Sequence, residues 1–584
     1  MSAWLRRIVS PLLAGLAGAG VVLPAILFGM PNNNDLANHY HFAIPFYDAL
    51  RHGNLYPSLF ASSNFGYGDV VVRFYPPALY YLLAAGRFVT GNWYAGSLLA
   101  ITLVSAVGSL GAYVWARCYV SQNLAVAAAL FYALMPYHLA EFYQAAQLAE
   151  FSAGAALLFA MAFTRRVCDR NRWQDAALLA VAYAALVLCH LPLAVFGSIT
   201  LLLYAVISLR GRSLHHVLRN GEDEKTRSNT GVVAILFKLT LAVLIGLGAS
   251  SFYWVTMVAE MKWIVADGSN PDPLLDYSHN FVFSTFSAAK QETIWWMGLL
   301  AIATIVMCLP AVIPPLKSFR ARDQRPLIVL CGLLLFSFAM TTVISKPVWV
   351  ALPYLRMAQH PFRWLAVTSV IAPVLMAAAV PFWRVRLRNH LRPIAIAMCG
   401  CVLIGITFSV TQTVRGATYL SKAHFEQIVS PLKEAPGIIQ WLPMWAAAAG
   451  QGKPSYEKCA PPLGTNGKVD AGARGARVIE WNDTKRVFAL EAGAAGDARI
   501  ATFYYPHWQA TANGQTLRTS AAADGALLVG VPAQAVTVEL EFREPARTAI
   551  ARIISIISWT FIGSLLIFGR IRDRATSDYE PIAN

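Results

Sequence analysis

Charged residues are scarce in this chain. Only 13% of its 584 residues are Asp, Glu, Lys or Arg, and 57% are hydrophobic. A soluble domain carries roughly twice that fraction of charge. Apolar runs separated by short basic segments predict a polytopic α-helical membrane protein with about twelve transmembrane helices. The composition therefore excludes a soluble enzyme.

Metal-binding and nucleotide-binding signatures are also missing. The eight cysteines form no CxxC pair and no Cys/His spacing typical of a metal site. Cys459 alone lies in the long polar region near the C-terminus, so we expect no internal disulfide there. The sequence has no Walker loop and no GxGxxG in a strand–turn–helix context, so no motif indicates a nucleotide site.

Positive charge is in excess, with a formal net charge of +16. The arginines stand in short segments that follow apolar runs, as in 165–172 and 384–392. The positive-inside rule assigns such segments to the cytoplasm, so a membrane explains the charge better than nucleic acid does. We expect both termini in the cytoplasm. The first apolar run, 8–28, lacks a small-residue cleavage site after it and reads as an uncleaved helix.

The first external stretch, 31–91, contains the first candidate for chemistry. Asp35 follows the first apolar run directly, and His39 lies one helical turn later. A carboxylate at a membrane boundary with a histidine beside it would accept a proton from a hydroxyl, or hold a divalent ion such as Mg²⁺ or Mn²⁺. The alternative is a polar helix end that only marks the interface. The amphipathic segments 37–51 and 77–88 suit helices that lie at the interface.

The residue composition of the chain changes near Thr413. Hydropathy falls, and the later part alternates apolar and polar residues, as in VTVELEF. Asn513-Gly514 is a strong two-residue hairpin signal. We predict a transmembrane region (1–412), an external α/β domain that is β-rich in its second half (413–549), and a last helix with a cytoplasmic tail (550–584).

Several elements resemble a known family. After Asp35 come Tyr56-Pro57, Gly66-Tyr67-Gly68, and FYPP at 74–77 followed by Tyr80-Tyr81. In this order they resemble YfhO-type bacterial membrane proteins, and more closely those described as 6-pyruvoyl-tetrahydropterin synthase related. The segment YYPHW before the last helix resembles the C-terminal domain of the same type. The resemblance implies a GT-C-like fold in the bacterial inner membrane, with the catalytic acid, here Asp35, in the first external loop.

The resemblance also points to binding residues. Glu150 and His138 match a family segment in PYHLAEFYQAAQLAEF, although Gln144-Ala145 replaces an Arg-Gly of the family pattern. His190 in LCHLP and Glu260 in VAEMKW stand at similar family positions. Packing or helix capping is the alternative for each. Asp69 in GYGD would be a second carboxylate or, more simply, a solvated loop residue.

External arginines are the candidates for phosphate binding, because the planar guanidinium offers paired donors to phosphate oxygens. Arg363 in QHPFRW is the first candidate, and Arg356 and Arg73 are secondary. The alternative is that each reaches toward the lipid headgroups or stacks on an aromatic ring.

These observations lead to one expected function. The resemblance implies a glycosyltransferase that moves a sugar from a polyprenyl-phosphate donor to an envelope glycan, lipid or protein acceptor at the external face. His39, Arg73, Glu150, His190, Glu260, Arg356 and Arg363 would bind substrate beside Asp35. Two alternatives stay open: a non-catalytic scaffold with the same fold, and a transporter or flippase for lipid-linked sugars.

Overall fold

The computed structural model describes residues 3–33, 35–220, 223–264, 276–283, 292–317, 325–435, 437–447 and 467–577. Cys459 and the rest of 448–466 lie outside them. The helices are α1 (Ala3–Ala19), α2 (Leu23–Phe28), α3 (Leu36–Arg51), α4 (Ala78–Thr90), α5 (Trp93–Ala116), α6 (Gln122–Ala133), α7 (Pro136–Tyr143), α8 (Leu148–Arg170), α9 (Trp173–Cys189), α10 (Leu191–Asn220), α11 (Asp223–Ala249), α12 (Ser251–Glu260), α13 (Glu292–Lys317), α14 (Arg325–Met340), α15 (Lys346–Ala351), α16 (Pro353–Arg356), α17 (Trp364–Arg386), α18 (Arg392–Arg415), α19 (Lys422–Val429), α20 (Met444–Ala447) and α21 (Ala546–Ser577).

Many of these helices meet the requirements for crossing a membrane. Within the described residues, nine are long and apolar enough, and the bent pair α6 and α7 makes up to ten. Three shorter apolar helices correspond to α4, α9 and α14 and are further candidates for crossing the membrane. The predicted polytopic helical fold is confirmed. The expected number of about twelve is reached if the bent pair, α9 and α14 all cross.

The centre of the bundle is formed by α8 and α17. Alanine, glycine and serine recur along α8, and all but a few of its side chains are buried. Small side chains allow close helix approach, which is the main source of packing energy in a bilayer. In contrast, α18 and α21 expose most of their apolar side chains, as helices at the lipid-facing periphery do. Glu150 lies in the first turn of α8, and Arg363 lies just before the first residue of α17.

Residues 31–91 contain two short helices, as their amphipathic pattern predicts. The helix α3 has a fully buried Tyr40 and Phe46, and α4 packs along α5. The crossing of α4 and α5 is very close, because a Cβ on Gly86 would stand 2.2 Å from the carbonyl oxygen of Gly96. Glycine is required there for steric reasons.

The segment after α6 folds as a buried helix. It forms α7, with all eight residues buried, and then a tight turn into α8. Pro136 occupies the first helical turn, where its missing N–H costs nothing. Ala146 in the turn has φ of 50°. Neighbouring helices cover the polar side chains of α7, which a local hydropathy pattern does not register.

A short strand pairing joins two distant segments of the chain at one end of the bundle. The strands β1 (Met30–Pro31) and β2 (Tyr419–Leu420) pair antiparallel, with Met30 opposite Leu420. This pairing joins the end of the first apolar run to the segment that follows α18. It thereby fixes the position of the segment that leads to Asp35.

The β-domain (469–542) contains two antiparallel sheets. The remaining strands are β3 (Val469–Asp470), β4 (Ala476–Trp481), β5 (Lys485–Leu490), β6 (Gly496–Phe503), β7 (Trp508–Ala512), β8 (Gln515–Leu517), β9 (Thr519–Ala521), β10 (Ala526–Val531) and β11 (Val536–Phe542). The sheet orders are β3-β6-β10-β9 and β4-β5-β11-β7-β8. Asn513 and Gly514, both with positive φ, turn β7 into β8, so the predicted hairpin is confirmed.

The β-domain rests on the stretch 31–91. Leu59, Val70 and Phe74 belong to the same apolar cluster as Phe488 and Leu540 of the sheets. The Phe503 backbone N–H also donates to the Tyr67 carbonyl at 2.8 Å. The sheets therefore cover the loop that leads from α3 to α4.

Candidate functional site

Asp35 stands at the N-terminus of α3, but its side chain makes no capping hydrogen bond. Asn38 Nδ2 donates to Asp35 Oδ1 at 3.3 Å, and the Asp35 backbone N–H faces the Ala145 carbonyl at 3.4 Å. The residue as a whole is only partly buried, but its carboxyl group is surrounded by protein atoms. Burial raises the pKa of Asp35, while the positive charge of Arg363 and the Asn38 hydrogen bond oppose that rise.

Glu150 and Arg363 form the charged centre beside Asp35. Their Oε2 and Nε atoms are 3.0 Å apart, at ion-pair distance but not aligned as a hydrogen bond. The Tyr137 hydroxyl donates to the other carboxylate oxygen at 3.0 Å. His190 Nε2 lies 3.9 Å from the same Oε2 atom that faces Arg363. Side chains from α7, from the junction between α9 and α10, and from the turn before α17 thus converge on the Glu150 carboxylate of α8.

His39 lies behind Asp35 on α3, one turn along the helix. Its Nε2 contacts the Ala146 carbonyl at 3.1 Å, and its Nδ1 lies 3.4 Å from the Tyr80 hydroxyl. Burial lowers the pKa of His39 to about 4, so this ring is neutral at neutral pH. The tight turn between α7 and α8 therefore holds both Asp35 and His39 through its carbonyl groups.

Tyr75 of the FYPP segment completes this side of the site. Burial is the main cause that raises the pKa of its phenol. The negative charges of Asp35 and Glu150 raise this pKa further, and the positive charge of Arg363 opposes the rise. The ring also contacts Trp441 edge-on, with centroids 5.9 Å apart. Tyr75 thus links the charged centre to the segment that precedes the β-domain.

Glu141 is a functional candidate that the sequence analysis missed. It is 3% exposed, on α7, and its charge acts on the same region as those of Glu150 and Arg363. Its Oε2 lies 3.5 Å from His138 Nδ1. One signal was present: the tetrapeptide LAEF occurs twice, at 139–142 and 148–151, and places a glutamate in each copy.

Several buried polar atoms around this cluster have no hydrogen-bond partner within the described part of the chain. They are Nε2 of His138, Oε1 of Glu141, Oε1 of Gln147, Oε2 of Glu150, Nδ1 of His360 and Nε of Arg363. Folded proteins pair nearly all such atoms, so a concentration of unpaired ones points to a polar ligand or ordered water. Carboxylate acceptors beside a guanidinium donor suit a hydroxyl-rich ligand with an anionic group.

Arg73 and Glu260, two of the predicted binding residues, lie in a different cluster. Arg73 Nε is 2.6 Å from Glu260 Oε2, and its Nη1 is 2.6 Å from Glu544 Oε1. Glu260 also accepts hydrogen bonds from Tyr505 at 2.8 Å and from Arg547 at 2.7 Å. We name this set, with His507 at 2.8 Å from Glu260, the joint cluster. It connects the stretch 31–91, α12, the β-domain and the start of α21.

The joint cluster is strongly paired. Burial alone would raise the pKa of Glu260, but hydrogen bonds from His507 and Arg73 hold it well below its usual range. Burial would lower the pKa of Arg73, but Glu260 and Glu544 together raise it. Each charge therefore has its partner within the cluster.

Arg356 lies apart from both clusters. At the end of α16, its guanidinium donates to the Val350 carbonyl at 2.8 Å and stands 5.8 Å from the centre of the Tyr277 ring. These contacts match the stacking alternative raised by the sequence. Asp69 also differs from expectation: it is buried, not solvated, and accepts a hydrogen bond from the Val71 backbone N–H at 2.8 Å.

The described residues contain no group of three or more His, Cys, Asp or Glu side chains arranged to hold a metal ion. Asp35 has an amide and a guanidinium as its nearest polar influences. A divalent ion requires several oxygen ligands at one point. The residues around Asp35 therefore do not fit the metal that the sequence allowed.

The fold and this site define a polytopic helical membrane protein with an appended β-domain and a buried acidic centre at one end of the bundle. Residues 72–415 match the family described as "6-pyruvoyl-tetrahydropterin synthase related domain; membrane protein", and the chain belongs to this family. The resemblance drawn from the sequence is thereby confirmed. The matched residues include Glu150, His190 and Arg363 and begin after Asp35 and His39.

Other comparisons add little. No curated protein matches the chain. Among solved structures, the chain is similar to the crystal structure of ArnT from Cupriavidus metallidurans bound to undecaprenyl phosphate. The identity is 14%, 70% of this chain and 77% of that chain are covered, and the TM-score is 0.33. A likeness at that TM-score carries no argument about fold or function.

Proposed function

We propose that this protein is a membrane-integral glycosyltransferase that uses a polyprenyl-phosphate sugar as donor. The observation that carries the proposal is the gathering of Asp35, Glu150 and Arg363 in one buried centre. A sugar transfer between a lipid phosphate and a hydroxyl needs a base for the hydroxyl and a cation for the phosphate. Asp35 and Arg363 are of the right types, and their charges act on each other.

In this reaction the acceptor oxygen bonds to the anomeric carbon as the bond from that carbon to the phosphate oxygen breaks. The electron pair stays on the lipid phosphate, and the hydroxyl proton passes to Asp35. The Arg363 guanidinium faces Glu150 through Nε and the Ala358 carbonyl through Nη1 at 3.5 Å. This leaves Nη2 for a phosphate oxygen of the donor.

The other members of the centre have supporting roles in the proposal. Glu150, with His190 beside it, would accept hydrogen bonds from sugar hydroxyls and hold Arg363 in place. His39 would hold Asp35 against the turn at Ala146. Arg73 and Glu260 would act at a distance, by fixing the β-domain, and Arg356 would lie outside the site.

The orientation is part of the proposal. The ends of α8 and α17 opposite to Glu150 and Arg363 carry the basic segments 165–172 and 384–392. The positive-inside rule favours the cytoplasm for those ends, which would put the centre at the external face and both termini inside. The protein would lie in the bacterial inner membrane, and the β-domain would present an envelope glycan, lipid or protein acceptor.

The test is transfer by purified protein in proteoliposomes. Labelled polyprenyl-phosphate sugars, matched nucleotide sugars and an envelope extract as acceptor are supplied in separate reactions. We expect label to move from the lipid donor and not from the nucleotide sugar. If label crosses the bilayer on the lipid without transfer, the protein is a flippase. If neither happens with donors that a known transferase uses, the scaffold alternative replaces the proposal.

A further inference from the structure

Glu141 is buried in the bundle, and none of the cationic side chains among the described residues lies at ion-pair distance from it. Oε2 faces His138 Nδ1 at 3.5 Å, and Oε1 has no hydrogen-bond partner within the described part of the chain. The His138 ring lies between Tyr132, with centroids 4.2 Å apart, and Phe151, stacked at 4.4 Å. Aromatic rings on both faces shield this imidazole from water.

The charges around Glu141 do not balance if every acid is ionised. Among the described residues, the titratable groups that act on Glu141 come from α6, α7, α8 and the turn before α17. They are Tyr132, Tyr137, His138, Glu150 and Arg363. Asp35 adds a third carboxyl through its effect on Glu150. Three carboxylates against one guanidinium would leave two uncompensated negative charges in a buried site.

Such an arrangement is expensive. An unpaired buried charge costs on the order of several kcal/mol, and a buried carboxyl between like charges keeps its proton instead. Arg363 is already committed to Glu150 at 3.0 Å, and Asp35 has the Asn38 amide. Within the described ranges, the side chain that faces the Glu141 carboxyl is the His138 ring, which accepts a hydrogen bond on Nδ1 when neutral.

We propose that Glu141 holds a resident proton at neutral pH and that this proton keeps the centre receptive to an anionic phosphate. The neutral carboxyl donates from Oε2 to His138 Nδ1. It removes one negative charge from the neighbourhood of Arg363, so that the guanidinium is not fully neutralised by acids. Glu141 is a positioning residue that acts through Glu150 and Arg363. The phosphate role rests on the proposed function, and the resident proton does not.

Infrared spectroscopy of the purified protein tests the resident proton without any activity. A protonated carboxyl gives a C=O band apart from the amide bands. Difference spectra separate the Glu141 band from the bands of other protonated carboxyls, such as Asp69. We expect the wild-type spectrum at neutral pH minus that of Glu141→Gln to contain this band, and the wild-type spectrum minus that of the exposed control Glu434→Gln to lack it. A band that is absent from the Glu141→Gln difference spectrum and present in that of Glu150→Gln would overturn the assignment. Absence of the band from both difference spectra would overturn it as well.

The pH dependence of donor use tests the role. In wild type, KM for the lipid donor should rise at alkaline pH, as the resident proton is lost, with kcat changing less. Glu141→Gln mimics the protonated acid and should give a KM that stays flat over the same range. A parallel rise of KM in both proteins would contradict the role. If no transfer occurs but the infrared band is present, the proposed function fails and the resident proton stands.

Discussion

At the scale of single residues, surroundings decide what a carboxyl group can do. Asp35 stands at the start of α3 and Asp48 lies in its last turn, but Asp48 is 32% exposed and pairs with Lys433 at 2.7 Å. Such a surface pair contributes little to stability. The Asp35 carboxyl group is enclosed, its pKa is raised by burial, and Arg363 acts on it from another element. The proposed base is therefore distinguished by burial, not by residue type.

The two arginines Arg363 and Arg356 provide a matched test of phosphate binding. Arg363→Lys keeps the charge but loses the planar fork, and we expect KM for the lipid donor to rise roughly ten- to a hundredfold, the loss of one charge-assisted hydrogen bond. Arg356→Lys lies outside the centre and should leave KM unchanged. Steady-state transfer rates over a donor series measure both. An equal effect of the two substitutions would contradict the assignment.

Asp69 provides a prediction about stability. Burial raises its pKa from 3.8 to about 7, although hydrogen bonds from Val71 and Asn64 oppose the rise. Between these two pH values, Asp69 keeps its proton in the folded protein and releases it in the unfolded chain. The contribution of Asp69 to the free energy of unfolding therefore falls as pH rises through that window. Asp69→Asn should remove this loss, which is at most about 4 kcal/mol.

Thermal unfolding in detergent across that pH window measures the effect. Asp69→Asn should melt higher than wild type above the window and similarly to it below. The surface variant Asp48→Asn should follow wild type throughout. A difference in melting temperature between Asp69→Asn and wild type that stays constant across the window would refute the prediction.

At the scale of elements, the joint cluster holds the β-domain to the bundle. Its members come from four parts of the chain, and Arg73 and Glu544 are 471 residues apart in sequence. Glu260 is fully buried and receives Arg73, Arg547, Tyr505 and His507. Removing its charge would leave Arg73 and Arg547 without their shared partner.

We expect Glu260→Gln to loosen the β-domain. Breaking a buried ion pair on one side costs about 3–5 kcal/mol, whereas an exposed pair costs less than about 1 kcal/mol. The exposed pair between Glu541 and Arg543, at 2.8 Å, supplies the control variant Glu541→Gln. Limited proteolysis should release the β-domain from Glu260→Gln much faster than from wild type or the control. Equal rates for all three proteins would show that the apolar contacts alone hold the domain.

Much of the element-scale structure follows from local sequence. Apolar runs of spanning length gave the helices, and Asn513-Gly514 gave the hairpin, because these signals act over a few residues. The helix α7 did not follow, since its polar side chains are covered by helices distant in sequence. Within the candidate site, Asp35 and Arg363 were found from their residue types beside apolar ends. Glu141 and the joint cluster depend on tertiary contacts that no local pattern records.

At the scale of the whole molecule, the bundle, the stretch 31–91 and the β-domain form one connected arrangement. The strand pair of β1 with β2 and the joint cluster brace the loop that carries Asp35 and Tyr75 from two sides. A braced loop is what a site needs if a base must meet an acceptor hydroxyl within hydrogen-bond reach. The β-domain covers this loop, so an acceptor held by the sheets would approach Asp35.

The most direct test of the central claim is sugar transfer by Asp35→Asn. Labelled polyprenyl-phosphate sugar and envelope acceptors are supplied in proteoliposomes, and the rate is measured per mole of folded protein beside Asp48→Asn. We predict a fall of about a hundred- to ten-thousandfold for Asp35→Asn, as loss of a general base produces, and a wild-type rate for Asp48→Asn. Equal rates for wild type and a folded Asp35→Asn would contradict the claim that this carboxylate is the base.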